Sequence, residues 1–94
     1  MSNRMYRLPN GTETDDPDLY GDSWTILGSH LCEALNDGIG TWHMIGVGAM
    51  YEVVVARQET WNNGTREIHR DTEEHRFSVN TALHIIGLWE NQAM

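Results

Sequence analysis

Histidine, cysteine and carboxylate side chains are the residues of this sequence that could bind a metal or catalyse a reaction. The densest group of potential metal ligands lies near position 70 and consists of His69, Glu73, Glu74 and His75. Its two histidines are six residues apart, whereas a pair on one face of a helix needs a spacing of four, and no structural zinc pattern fits. We therefore predict a solvated charged segment there, with no metal and no other cofactor.

The remaining candidates for catalysis lack the partners that a catalytic group needs. Cys32, the one cysteine, lies inside a predicted helix beside apolar residues, which is typical of a small buried hydrophobic side chain rather than of a nucleophile. His43 and His84 fall in core-forming segments, where a lone histidine is usually a hydrogen-bonded polar tip. The sequence shows no serine on a sharp turn in triad order with a histidine and an aspartate. We expect no catalytic residues and no enzyme activity.

A long helix is the clearest structural element in the sequence. Asp15 and Asp16 are residues that cap helix N-termini, Pro17 suits the first helical position, and Asp18 favours the positive end of the helix dipole. The pattern predicts a helix over residues 17–36. Its apolar residues recur every three to four positions and form one stripe: Tyr20, Trp24, Leu27, Leu31 and Leu35.

Asp37-Gly38 is expected to end this helix, and the pattern after it is that of strands. Thr41–Val47 and Met50–Arg57 are rich in β-branched and aromatic residues and flank Gly48-Ala49, which predicts a β-hairpin. Both faces of the second strand are largely apolar. We therefore expect this strand to be central in a sheet, with the helix covering one of its faces.

The C-terminal third predicts a second hairpin and a second helix. Residues 58–76 are polar around Asn62-Asn63-Gly64, which indicates either a hairpin with an Asn-Gly turn or the tip of a mobile loop; we favour the hairpin. Ser78 or Asn80 can cap the helix that follows. The apolar face of that helix comprises Val79, Ala82, Leu83, Ile86 and Trp89.

The first fourteen residues are expected to form an extended lead-in. They contain a turn signal at Asn10-Gly11 and one potential short strand over residues 5–8. Together the patterns predict a single α+β domain over residues 1–94, in which a β-hairpin or a three-stranded antiparallel sheet is packed by two α-helices.

The charge of the chain limits the classes of partner that it is expected to bind. The formal net charge is −8, with 14 acidic residues against six arginines and no lysine. Such a chain repels a phosphate backbone and attracts basic protein surfaces, so we expect a protein partner and no direct nucleic-acid binding. The stretch Gly38–Tyr51, free of Asp, Glu, Lys and Arg, is too short to span a membrane. A lone cysteine and the lack of a signal-like N-terminus indicate the cytoplasm.

These observations favour a small, non-enzymatic protein-binding module. In general character, though in no matched motif, the chain resembles the small acidic accessory proteins of bacteriophages and mobile elements. The net charge of −8, with no lysine to offset the acidic residues, favours an inhibitor that occupies the basic, nucleic-acid-binding surface of a host or defence protein, in the host cytoplasm. The residues expected to contact the partner are Asp15, Asp16, Asp18, Asp22, Glu59, Trp61, Arg66, Glu67, Asp71, Glu73 and Glu74.

Two other functions stay open at this point. The surplus of apolar residues and a potential free strand edge would suit a self-assembling structural or virion component. The arginines Arg57, Arg66, Arg70 and Arg76 would suit phosphate binding in a nucleotide-binding oligomer. Trp61 is expected either to anchor a partner or to fold back onto the sheet.

Overall fold

The computed structural model describes residues 4–36 and 41–92, without the side chains of Trp61, Asn63, His69, Thr72, Glu73 and Gln92. The elements are β1 (Tyr6–Arg7), β2 (Glu13–Thr14), α1 (Pro17–Leu35), β3 (Thr41–Gly48), β4 (Glu52–Asn63), β5 (Arg66–Ser78) and α2 (Val79–Gln92). One antiparallel sheet has the order β3-β4-β5, and β1 and β2 form a small second sheet. The predicted α+β fold, a three-stranded antiparallel sheet packed by two helices, is confirmed.

Local signals set the bounds of α1. The Asp16 side chain accepts a hydrogen bond of 2.9 Å from the amide of Asp18, so Asp16 is the N-cap, and Pro17 follows in the first turn. At the other end the amide of Asn36 donates to the carbonyl of Cys32 at 3.0 Å. The helix ends one residue before the predicted limit, and the expected stop at Asp37-Gly38 lies outside the described residues.

The core lies between the two helices and one face of the sheet. From α1 it takes Trp24, Leu27 and Leu31, and from β4 it takes Val53 and Val55. The α2 contribution is Val79, Ala82 and Ile86. The apolar stripe predicted for α1 is therefore its core face, with Tyr20 and Leu35 half-buried at its margins. In α2 the prediction is only partly correct, because Leu83 and Trp89 lie at the edges of the buried stripe and are exposed.

The turn between β3 and β4 differs from the prediction. Gly48 pairs with Glu52, so three residues, Ala49–Tyr51, connect the strands and β4 begins two residues later than expected. A three-residue hairpin loop commonly ends in a residue with left-handed backbone, usually glycine. Tyr51 occupies that position with φ of 56°. Its hydroxyl donates a 2.5 Å hydrogen bond to the carbonyl of Leu8, a long-range contact that no local pattern reveals.

The face of the sheet away from the helices has no second apolar layer within the described residues. Even so, Val54 and Ala56 on that face are only 5% and 0% exposed. The register places Arg76 opposite Val54, and its guanidinium bridges to Glu52 at 3.3 Å. Arg76 and Glu52 thus lie beside Val54 on this face, and the stems of long charged side chains shield small apolar neighbours from water.

Beyond Gln58 the strands β4 and β5 continue as a two-stranded extension. This β-arm, Gln58–Asn63 with Arg66–Asp71, turns at Gly64, whose φ is 69°. The predicted second hairpin is confirmed. Because of the arm the radius of gyration is 15.8 Å, whereas a compact domain of this length has about 12 Å. The longest dimension is 57 Å.

Short-range hydrogen bonds define the start of α2 and the N-terminal hairpin. The Ser78 hydroxyl accepts from the amide of Thr81 at 3.2 Å and caps α2, one of the two caps predicted. The lead-in forms a hairpin rather than a single strand: β1 pairs with β2, and Gly11 takes φ of 91° in the turn. Neither helix in the described part of the chain is long and apolar enough to span a membrane.

Gly28 allows the close approach of α1 to the sheet, and replacing it tests that contact. A methyl group there would collide with the Met44 side chain, whose Cγ would lie 2.9 Å away. We expect Gly28→Ala to lower the free energy of unfolding by about 1–3 kcal/mol, because overpacking outweighs the gain in helix propensity. Urea denaturation measures this.

Gly21→Ala is the matched control, since it lies in the same helix and a methyl group there meets nothing within 4 Å. It should raise stability by up to about 1 kcal/mol. A gain of similar size for Gly28→Ala would contradict the packing described here.

Candidate functional site

The residues predicted to contact a partner fall at two ends of the molecule. Helix α1 runs antiparallel to β3, because Tyr20 lies beside Val47 whereas Cys32 lies beside Trp42. The start of α1 is therefore next to the β3–β4 turn, and its C-terminal end is next to the base of the β-arm. The structure thus separates Asp15, Asp16, Asp18 and Asp22 from the candidates on β4 and β5.

The candidates on the β-arm alternate with basic residues. Glu59 is opposite Arg70 in the register and also lies 3.4 Å from the Arg57 guanidinium. Arg66 is opposite Asn63, and Glu67 is opposite Asn62. The arm therefore carries both signs of charge at close range and does not present a continuous negative surface.

The other predicted contact residues on the sheet either lie next to basic groups or have side chains outside the described part of the chain. Asp71 lies 3.5 Å from the His43 imidazole, and Glu74 lies 3.6 Å from the Arg76 guanidinium. Trp61 is opposite Ile68 in β4 and β5, and Glu73 lies in β5; their side chains are outside the described part. Both interpretations of Trp61, as an anchor and as a core residue, stay predictions.

At the other end, the carboxylates around the start of α1 form a concentrated acidic surface. Five acidic residues occur over residues 13–22, all are exposed, and no arginine occurs in the sequence between Arg7 and Arg57. Asp16 uses its carboxylate as the helix cap. The other four acidic residues of this surface are Glu13 in β2 and Asp15, Asp18 and Asp22 around the helix start.

Two large aliphatic side chains accompany these carboxylates. Leu19 and Ile26 are 45% and 59% exposed and are seven residues apart, so they lie on one side of the helix, about 10 Å from each other. A shallow groove of about 250 Å³ adjoins Ile26 and is lined further by Leu8 and Pro9. We call Asp15, Asp18, Asp22, Leu19 and Ile26 the acidic face. Its carboxylates were among the predicted contact residues, whereas its aliphatic residues, which lie opposite the buried stripe, were not.

A second cleft near the N-terminus was also missed. It has a volume of about 520 Å³ and is lined by residues of three segments, among them Arg4, Tyr6, Arg7, Tyr20 and Tyr51. The Trp24 indole N–H donates to the Arg7 carbonyl at 3.0 Å and holds β1 against the core. We call this 520 Å³ cleft the arginine cleft. The only sequence signal was the mixture of arginine and tyrosine over residues 4–7, because the other walls come from distant positions.

The groove between the end of α1 and β3 contains the cysteine. It has a volume of about 350 Å³, and Cys32, Trp42 and His43 line it. Burial raises the pKa of the Cys32 thiol above its ordinary value, so the thiol is protonated at neutral pH. This is the opposite of what a thiolate nucleophile requires. Among the described residues, no three His, Cys, Asp or Glu side chains converge as a metal site would need.

No protein-family model, curated protein or solved structure matches this chain. The function must therefore be argued from the geometry and charge of its own surfaces.

Alkylation tests whether the Cys32 thiol has a raised pKa. Because its pKa is raised, native Cys32 should react with iodoacetamide more slowly than an ordinary thiol at pH 7.5, and its rate should still be rising above about pH 8.5, where free thiols are half ionised. The same protein in urea is the control and should follow the ordinary profile. A native rate that reaches its plateau below pH 8 would show an activated thiolate and contradict this description.

Proposed function

We propose that this protein is a non-enzymatic protein-binding module that presents the acidic face of α1 to a basic surface of its partner. The observation that carries this proposal is that exposed Asp18 and Asp22 share one side of α1 with exposed Leu19 and Ile26. Exposed Asp15 lies directly before the N-cap of the helix. Protein interfaces combine apolar anchors with charged rims in this way.

The helix holds these side chains in fixed positions before the partner arrives. Asp18, Asp22 and Ile26 follow one another at four-residue spacing, so they form a straight row on the solvent side of α1. The opposite side of the helix is fixed by Trp24 and Leu31 in the core. Little ordering entropy is lost on binding, since the backbone of the row does not have to be rearranged.

The chemistry of the acidic face identifies the kind of partner. A complementary surface would carry arginine or lysine around a small apolar pocket. Proteins that bind nucleic acids have such basic surfaces, and a chain of net charge −8 would reach them with electrostatic steering. We infer that the protein occupies the nucleic-acid-binding surface of its partner and thereby inhibits it.

Neutralising the acidic face tests the proposal. The variant D15N/D18N/D22N changes the net charge from −8 to −5, while it keeps the Asp16 cap and the core. We expect partner capture from the native lysate to fall at least tenfold, since several charge pairs are lost at the interface. For the wild type, capture should decrease as salt rises from 50 to 300 mM; the quantity measured is the amount of one partner by mass spectrometry.

A matched control removes three carboxylates elsewhere. E67Q/E74Q/E90Q gives the same net charge of −5 from the β-arm, the sheet and α2. Capture should be nearly unchanged for this variant. If the control loses the partner and D15N/D18N/D22N keeps it, the binding surface lies at the arm end and the proposal is wrong.

The two other functions foreseen from the sequence stay predictions. For self-assembly the structure offers the β-arm, whose described side chains are mostly exposed, and the edge strands β3 and β5. Nucleotide binding by the four predicted arginines is less favoured, because the Arg57 and Arg76 guanidinium groups already lie within 3.4 Å of the carboxylates of Glu59 and Glu52.

A further inference from the structure

The arginine cleft has a charge of opposite sign to that of the rest of the molecule. Fourteen acidic residues face six arginines in the chain, yet the ten residues that line this cleft include Arg4 and Arg7 and no aspartate or glutamate. Neither arginine is within 4.0 Å of a carboxylate among the ion pairs of the described residues. The cleft is therefore a local positive site on an acidic protein.

The two guanidinium groups are held by aromatic rings. The Arg7 guanidinium carbon lies 3.9 Å from the centroid of the Tyr51 ring, and that of Arg4 lies 5.5 Å from the centroid of Tyr6. A guanidinium stacked on a ring keeps the N–H groups at its edge available, and these match the oxygens of a phosphate or carboxylate in a bidentate arrangement. Stacking also reduces the entropy that each arginine loses when it binds an anion.

Aromatic walls complete the cleft. Tyr6 and Tyr20 have ring centroids 5.0 Å apart, and both are half-buried, so part of each ring remains accessible. Tyr51 occupies a left-handed backbone position where glycine is the common residue. Such strain persists where the side chain is needed, and here the ring of Tyr51 supports Arg7.

We propose that the arginine cleft binds a small phosphate carried on a planar ring, with Arg4 and Arg7 on the phosphate oxygens and the tyrosine rings against the planar group. A nucleoside monophosphate has this chemistry. The site is separate from the protein-binding function of the acidic face, and it places phosphate recognition at arginines other than those that the sequence singled out.

Calorimetric titration with adenosine monophosphate tests the site. We expect saturable binding with one site per chain, and weaker binding of both adenosine and inorganic phosphate, since each supplies only part of the contacts. Arg7→Gln should weaken the affinity about tenfold, the usual effect of losing one charge-assisted hydrogen bond. Arg70→Gln removes the same charge from the β-arm and should leave the affinity unchanged.

The variant Glu13→Gln tests whether the effect of Arg7→Gln is merely structural. Glu13 is opposite Arg7 in the β1–β2 register but does not line the cleft. Its removal should tighten binding of adenosine monophosphate two- to fivefold by removing a nearby negative charge, a gain that misfolding cannot produce.

Three results would overturn the proposal. The first is no binding of adenosine monophosphate at millimolar concentration. The second is a larger loss for Arg70→Gln than for Arg7→Gln, which would move the site to the β-arm. The third is equal affinity for inorganic phosphate and adenosine monophosphate, which would exclude a role for the tyrosine rings.

Discussion

The burial of one side of α1 against the central strand β4 is the interaction on which the rest of the structure depends. Leu31, Val53 and Val55 have no exposed surface, and Trp24 joins them from the N-terminal half of the helix. Burying each of these side chains contributes about 1.5–3 kcal/mol, so the helix cannot rotate without losing much of the stability of a small domain. Everything on the opposite side of α1 is thereby directed to solvent in a fixed order.

Trp24 connects this core to the acidic face and to the arginine cleft. Its ring packs edge-on against Tyr51 with centroids 5.4 Å apart, and its indole N–H holds the Arg7 carbonyl. The same residue therefore fixes the orientation of α1, which presents the acidic face, and the position of β1, which supplies Arg7 to the arginine cleft. A negative surface and a positive cleft can lie near each other because separate elements, anchored on one tryptophan, carry them.

The sequence predicts what is decided locally. Asp16 and Pro17 define the start of α1, apolar periodicity gives its buried side, and the polar run around Gly64 gives the second hairpin. Where a feature depends on contacts between distant residues, the prediction was missing or wrong. In the β3–β4 turn, left-handed Tyr51 donates a hydrogen bond to the Leu8 carbonyl, 43 residues earlier in the chain, and no pattern within the turn signals it.

The candidate site shows the same division. The composition favoured carboxylates as partner contacts, which stays a prediction, and it could not show how the carboxylates of the helix start lie relative to those of the β-arm. Only the antiparallel course of α1 along β3 shows that these groups lie at opposite ends. The arginine cleft could not be foreseen, because its walls are assembled from three separate segments.

A distance between the two ends tests whether the acidic face of α1 is separate from the β-arm. Spin labels at Asp18→Cys and Thr65→Cys in a Cys32→Ser background would be measured by double electron–electron resonance. The twelve residues of β4 span most of the separation, so we expect a single distance of about 40 Å. A main distance below about 25 Å would mean that the arm folds back over α1 and that the two groups of carboxylates form one surface.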